Sequence, residues 1–302
     1  MKLCYCPTDA GLELVLFGNA GPLFTGSLAG LIAHGVKPAL VIIDSQQSRD
    51  PHDARLRPVV EGSAEGYAFE AGIDVVHSSP RNRAQLHARL AQRQPALLVV
   101  ACTDFILDHR WLHLARLASL NVHPSLLPRY RGPAPLFWQV KNREPEFGVS
   151  LHVMTDVIDA GPVVGQSPVA WRRDRSLSEL EHSIGHEGGR LVAELVDQLS
   201  HGATVRTHDQ CDMQASAARR PRPADLGLDT TRAAREAFQI VATLGQAYGP
   251  WWATTDRGRL LIDAVLGHND HSHEPGVVRG GDGLFELGFA DGCLRVRGRL
   301  TE

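Results

Sequence analysis

Cysteine is scarce in this chain. Five residues, odd in number and scattered over 302 positions, do not make a disulfide framework. Long apolar runs are also missing: the longest, residues 95–102, is far short of the roughly 20 residues a membrane helix needs. A single Lys precedes no extended apolar stretch at the amino terminus, so no secretory signal is expected and a reducing cytoplasm is the expected location. There is no excess of positive charge, since 31 Lys and Arg face 34 Asp and Glu for a net charge of −3. Bulk electrostatics therefore give no sign of a nucleic-acid binder. No internal repeat is present. What the chain does have is 43% hydrophobic and 22% charged residues, which excludes a disordered polymer. Its length is about twice that of a typical domain, so two domains are expected.

The first half alternates short apolar runs with helix-length segments. Strands are expected at residues 12–18, 39–44, 73–77 and 96–101, and helices at 22–34 and about 82–92. Runs that are apolar on both faces and separated by helices predict a mostly parallel, doubly wound (Rossmann-like) α/β sheet, with ligands at the carboxyl ends of its strands. A long helix is expected over residues 175–201, with Ser176 and Glu179 at capping-box spacing and Gly202 after its end. The texture then changes: residues 203–227 hold few large apolar side chains and a Pro/Arg run, as an extended linker would. A helix over about 231–244 and several short strands follow, with Asp291-Gly292 as a hairpin signal. Residues 1–202 are thus expected to form the catalytic domain, 203–227 a linker, and 228–302 a small C-terminal OB-like β-barrel.

The chemistry concentrates in residues 120–135. Asn121 and His123 are two apart, so on an extended chain both side chains share a face, and Pro124 favours that geometry. An amide donor beside an imidazole suits a reaction that places negative charge on a carbonyl oxygen. Downstream, Asp156 and Asp159 lie on a Gly-Pro loop that follows a strand-like run, where a carboxylate can return to orient a histidine. On these residues alone, a backbone-satisfied His123 and a turn-forming Asp159 remain open.

The run Asn-Val-His-Pro-Ser-Leu-Leu-Pro from residue 121, continued by Arg-Tyr-Arg-Gly-Pro-Ala-Pro, resembles the signature of folate-dependent formyltransferases. Residues 148–162 are similar to that family's second motif, and the likeness covers about residues 12–200 well. It extends more weakly to the C-terminal region, and the Arg-Tyr-Arg-Gly stretch is closer to the methionyl-tRNA and amino-sugar branch than to the purine branch. The resemblance implies 10-formyltetrahydrofolate as formyl donor and co-substrate, with no metal required. It implies that Asn121 holds the formyl oxygen, that His123 stabilises the oxyanion and helps move a proton, and that Asp159 orients His123. Phe105, Leu107, Thr155, Asp156 and Val157 correspond to the pterin-contacting segments, with core packing as the other reading of Phe105 and Leu107. Gly18, Asn19 and Arg131 are placed to meet the acceptor; the glycine spacing of a dinucleotide site is absent.

The acceptor divides the expectation between a small biosynthetic amine and initiator methionyl-tRNA, with hydrolysis of the donor as a third outcome. Arg49, Arg55 and Arg57 are interrupted by Asp50 and Asp53, which blunts a phosphate grip and tilts the reading toward the small amine. Arg219, Arg220 and Arg222 read as solvated linker residues. Residues 1–11, with Cys4-x-Cys6, are unexplained. Residues 268–273 carry three histidines and read as a solvent loop rather than a metal site. His182 and His186 read as surface residues, and Trp251 and Trp252 as barrel packing. No membrane partner is expected, and oligomeric state is left open.

Overall fold

The computed structural model describes residues 1–5, 12–44, 60–103, 105–171, 175–271 and 273–301. The basic loop holding Arg49, Arg55 and Arg57, together with Cys6, lies outside them. The chain forms two compact units, one of residues 1–132, 146–170 and 178–218, the other of residues 133–145, 171–177 and 219–302.

In the first unit the elements run β1 (Lys2–Leu3), β2 (Leu14–Asn19), α1 (Pro22–Ala33), β3 (Leu40–Asp44), α2 (Ala64–Ala71), β4 (Val75–Ser78), α3 (Arg83–Arg93), β5 (Leu97–Ala101), α4 (His109–Leu112) and β6 (Ala118–His123). After α5 (Pro135–Lys141), which belongs to the second unit, come β7 (Phe147–Val153), β8 (Val163–Val169), α6 (Leu177–Ser200) and β9 (Val205–Arg206). Seven strands form one sheet in the order β4-β3-β2-β5-β6-β7-β8. The first five are parallel, while β7 and β8 return antiparallel. Every residue of β3 and β5 is buried, which is why these runs carry no polar alternation. The strand order reverses between β2 and β5, the crevice where doubly wound sheets bind ligands.

Helices α1 and α6 meet backbone to backbone. A Cβ at Gly26 or Gly30 would lie 2.2 or 2.1 Å from the carbonyl oxygen of His182 or His186, and one at Gly185 or Gly189 would lie 2.1 or 2.2 Å from that of Leu23 or Ser27. His182 and His186 are therefore half-buried at a helix seam, rather than on the free surface that their spacing alone suggested.

The second unit holds α5, α7 (Ala234–Leu244) and the strands β10 (Trp251–Thr255), β11 (Gly258–Asn269), β12 (Val278–Gly281), β13 (Leu284–Phe289) and β14 (Gly292–Thr301). The strands form one antiparallel sheet in the order β10-β11-β14-β13-β12. Among the described residues no ladder joins its two edge strands, so the expected small β domain is present without evidence of a closed barrel. Phe137 of α5 packs on Tyr248 and Trp251 at ring distances of 4.8 and 6.3 Å. Burying this aromatic cluster draws residues 133–145 into the second unit. The β13–β14 turn is Ala290-Asp291, one residue earlier than the Asp-Gly signal, and the Asp291 carboxylate accepts the Ala234 amide at the start of α7 at 2.7 Å.

The division at 202 and 227 also gives way to tertiary contacts. Residues 203–218 are tied to the first unit: β9 pairs with β1, His208 bridges to Val163 and Ala217 to Arg131. This pairing accounts for the start of the chain, where Leu3 and Tyr5 are buried. Arg219 onward belongs to the second unit, where Arg219 pairs with Asp225 at 2.6 Å and lies over the Trp138 ring.

The helix seam makes a direct test. Gly30→Ala and Gly189→Ala are expected to lose about 1–3 kcal/mol or more in urea unfolding, because the new methyl meets backbone that cannot turn away. Gly281→Ala, where nothing lies within 4 Å, should stay within about 0.5 kcal/mol of the parent. Equal stability of all three would show that the seam yields.

Candidate functional site

The register between β6 and β7 builds the site. Asn121 stands opposite His152 and His123 opposite Ser150, so Asn121, His123 and His152 project from one face of the sheet. The connection between β7 and β8 folds over that face. Asp159 lies on it with φ of 53°, a left-handed conformation that Asp tolerates better than most residues.

The Asp159 carboxylate gathers the other groups. Its Oδ2 accepts the Gly132 amide at 2.8 Å and lies 3.6 Å from His123 Nδ1. Its Oδ1 accepts from Asn121 Nδ2 at 3.4 Å and lies 3.6 Å from His152 Nε2. Asn121 Nδ2 also reaches His152 Nε2 at 3.2 Å, while His152 Nδ1 sits 3.0 Å from the Val153 carbonyl. His123 Nε2 lies 2.9 Å from the Tyr130 carbonyl, so it carries the proton and donates there. The lone pair of the neutral ring is then on Nδ1, facing the carboxylate.

Burial lowers the pKa of His123 below its ordinary 6.5, and nearby Asp159 only partly offsets this. For Asp159, burial works upward, but the His152 contact, the charges of His123 and His152 and the Gly132 amide outweigh it and hold the carboxyl at about 2. At neutral pH the site therefore pairs an uncharged imidazole with a carboxylate. Such a pair can accept a proton at Nδ1 and stabilise the imidazolium it forms.

The structure thus brings Asn121, His123 and Asp159 into one cluster. His152 and Gln210 are the additions that sequence reasoning missed. Gln210 Nε2 donates to the carbonyls of Asp159 and Gly161 at 2.8 and 2.7 Å and so clamps the loop. His152 had a usable signal, since it falls in the same motif as Asp159. Gln210 had none, because its stretch reads as linker.

The remaining candidates separate into two groups. Thr155, Asp156 and Val157 lie on the same loop as Asp159, with Asp156 Oδ1 3.8 Å from His109 Nδ1. That contact sets the loop beside the segment after β5. There, however, Leu107 is core, and Phe105 packs edge-on to Phe17 at 5.9 Å with the Arg83 guanidinium 3.5 Å from its ring centre. Ile106, between half-buried Phe105 and buried Leu107, is 77% exposed. Gly18 is a packing position, where a Cβ would lie 2.2 Å from the Ala101 carbonyl. The Asn19 side chain accepts the Gly21 amide at 3.0 Å. Arg131 donates to Gln210 and Asp212, each at 2.9 Å, which ties it to the clamp.

Known proteins resemble this chain over much of its length. The sequence profile of the formyl transferase family matches residues 20–196. Methionyl-tRNA formyltransferase of Phenylobacterium zucineum is 29% identical over 273 residues, covering 89% of this chain and 86% of that protein. The same-named protein of Symbiobacterium thermophilum is 28% identical over 293 residues, covering 94% and 86%. Among solved structures, the N-formyltransferase of Helicobacter canadensis, in complex with folinic acid and dTDP-3-aminofucose, superposes with a TM-score of 0.62 at 17% identity, covering 95% of this chain and 99% of that one.

The shifted groups predict how stability responds to acid. The folded-state pKa of His123 is depressed, so its contribution is complete above about pH 6.5 and is lost as pH falls through the lower folded value. Asp159 follows at lower pH, with its contribution complete above 3.8 and lost toward about 2. Melting curves of His123→Asn between pH 6.5 and 5 should therefore fall less steeply than those of the parent. Identical slopes would exclude His123 as the group.

Proposed function

The chain belongs to the formyl transferase family, and from that premise we propose that it moves the formyl group of 10-formyltetrahydrofolate to the primary amine of a small biosynthetic acceptor. The observation that carries this reading is the convergence of Asn121 and His123 on the single carboxylate of Asp159. Attack of a neutral amine on the formyl carbon forms the new C–N bond and puts negative charge on the formyl oxygen. Asn121 is placed to donate to that oxygen, a contribution worth about 3–4 kcal/mol in comparable sites. As the bond to the folate nitrogen breaks, one proton must travel from the attacking amine to that nitrogen. His123 Nδ1 is the acceptor for this transfer, and the carboxylate of Asp159 stabilises the charged ring while it holds the proton.

For the donor, the supporting feature is exposed apolar surface. Ile106, Val157 and Ile158 are 77%, 65% and 56% exposed on two segments that the His109–Asp156 contact sets side by side. Isolated exposed apolar side chains are ordinary, but three on adjoining loops suit a flat heteroaromatic ligand. The pterin would lie there, held by Thr155, Asp156 and Val157 and by main-chain groups near Ile106. The donor supplies an activated formyl group, and everything else in the reaction is positioning and proton handling by the protein.

The small acceptor is favoured by charge. The net charge is −3, and two arginines are neutralised internally, Arg131 by Asp212 and Arg219 by Asp225. Initiator methionyl-tRNA is the second reading, favoured by full-length relatives that carry the methionyl-tRNA formyltransferase name.

Two measurements test these readings. Asn121→Ala, His123→Ala and Asp159→Ala should each lower formyl transfer at least about 100-fold while the fold remains intact. Near-parental turnover in any folded variant would remove that residue from the mechanism. In a panel of amines that includes methionyl-tRNA, the KM of the efficient acceptor should change little between low and moderate salt. A loss of about one log unit in affinity per log unit of salt for each phosphate contact, with tRNA as the efficient acceptor, would overturn the small-amine choice. Release of formate without any formylated amine would make the chain a hydrolase.

A further inference from the structure

The histidine tract at 268–273 takes no part in the proposed chemistry, yet the fold brings its last member to a second cluster. In the sheet of the second unit, Glu286 stands opposite Arg295, Gly288 opposite Cys293, and Cys293 opposite Asn269. Residues paired in this way share a face, and positions two apart along a strand share it as well, so Glu286 and Cys293 project from the same side as diagonal neighbours. Gly288 lies between them. Its missing side chain is what admits the next piece of chain: a Cβ there would lie 2.1 Å from the Glu274 carbonyl and 3.0 Å from the Cβ of His273. The backbone is locked in place from both directions, since Gly276 donates to the Gly288 carbonyl at 3.0 Å and Gly288 donates to Val277 at 2.9 Å. The His273 ring is thereby laid over the face that carries Glu286 and Cys293.

Among the described residues, one ligand atom each from His273, Glu286 and Cys293 lies within 4.8 Å of the other two. His273 Nδ1 is buried without a hydrogen-bond partner, and such an orphaned nitrogen calls for a bound group. The cysteine side chain is buried, and its Sγ is 3.3 Å from Asn269 Oδ1. We propose that His273, Glu286 and Cys293 form a structural site for a divalent zinc-type cation in the second unit.

The donor set favours this class of ion. One imidazole nitrogen, one carboxylate oxygen and one thiolate sulfur are the ligands zinc takes, whereas calcium and magnesium prefer oxygen alone. In a tetrahedral zinc site with bonds of about 2.0–2.3 Å, ligand atoms stand roughly 3.3–3.8 Å apart, so closure asks for about 1 Å of side-chain adjustment. Asn269 Oδ1 or a water completes the fourth position. Burial pushes the Cys293 thiol up, Glu286 adds to that, and the Asn269 bond and the charges of Arg295 and Arg279 act in the opposite direction. Binding therefore releases the thiol proton to solvent, and affinity rises with pH. The same two arginines repel a cation, so the site is weaker than a four-cysteine cage. Its effect is to pin His273 and Glu274 onto the sheet at Gly288.

Titration of the full-length protein with Co²⁺ and with Zn²⁺ tests the site. Wild type should develop the thiolate-to-metal absorption of bound Co²⁺, Zn²⁺ should displace it, and Zn²⁺ should raise the melting temperature in a concentration-dependent way. His273→Gln and Glu286→Gln should each weaken binding at least tenfold, and Cys293→Ala should abolish the absorption. His271→Gln, an exposed neighbour in the same tract, should change neither readout. Cys4, Cys102 and Cys211 are exposed thiols that could bind Co²⁺ independently. A wild type without absorption or melting shift, or signals that persist undiminished in folded His273→Gln, would therefore overturn the proposal. Because His273→Gln changes a half-buried connection residue rather than the buried cysteine, the test survives even if Cys293→Ala does not fold.

Discussion

One carboxylate organises a cluster of polar side chains on the sheet of the first unit. Asp159 contacts an amide side chain, a backbone amide and two imidazoles, and its position requires three segments of chain that are remote in sequence to meet. A buried charge of this kind persists only if its neighbours compensate its lost hydration. Here the compensation is dense enough to hold the acid at about 2, so the carboxylate is charged at neutral pH. That charge in turn determines what His123 can do. A buried imidazole avoids a proton, and the carboxylate beside Nδ1 makes transient acceptance possible.

The sheet supplies the precision this arrangement needs. Asn121 and His123 lie on a strand whose neighbour β5 is buried throughout, and the antiparallel return of β7 sets His152 opposite Asn121. A shift of one residue in that register would turn the whole set to the other face. The loop that bears Asp159 is less constrained by its own sequence. It is held from outside by Gln210, whose amide donates to two of its carbonyls, and Gln210 is in turn engaged by Arg131. Packing of α1 on α6 through glycines gives the layer behind the sheet a close and rigid contact.

The second unit uses the same device for another purpose. Gly288 allows a connection to lie directly on the sheet, and the residue pressed there is a histidine with an unsatisfied nitrogen. In both units a missing side chain brings two backbones together and so decides which distant side chains become neighbours.

Much of this was legible in the linear sequence. Apolar runs separated by helix-length segments identify the doubly wound sheet, because burial on both faces leaves its composition in each strand. Asn121 and His123 were readable as a pair because strand periodicity is local, and the long motif with its downstream partner pointed to Asp159. Other features were not readable. Leu107 lies in the core and Phe105 packs half-buried against it, with Ile106 exposed between them, residues 203–218 proved to be part of the first unit, and residues 133–145 joined the second. His152, Gln210 and the meeting of His273 with Glu286 and Cys293 depend on strand register and on backbone approach at glycines. Periodicity and composition act over a few residues, so the sequence by itself determined the elements and the pairing of Asn121 with His123 on one strand face. Which remote segment lies against which is a property of packing, and only the tertiary structure decided it.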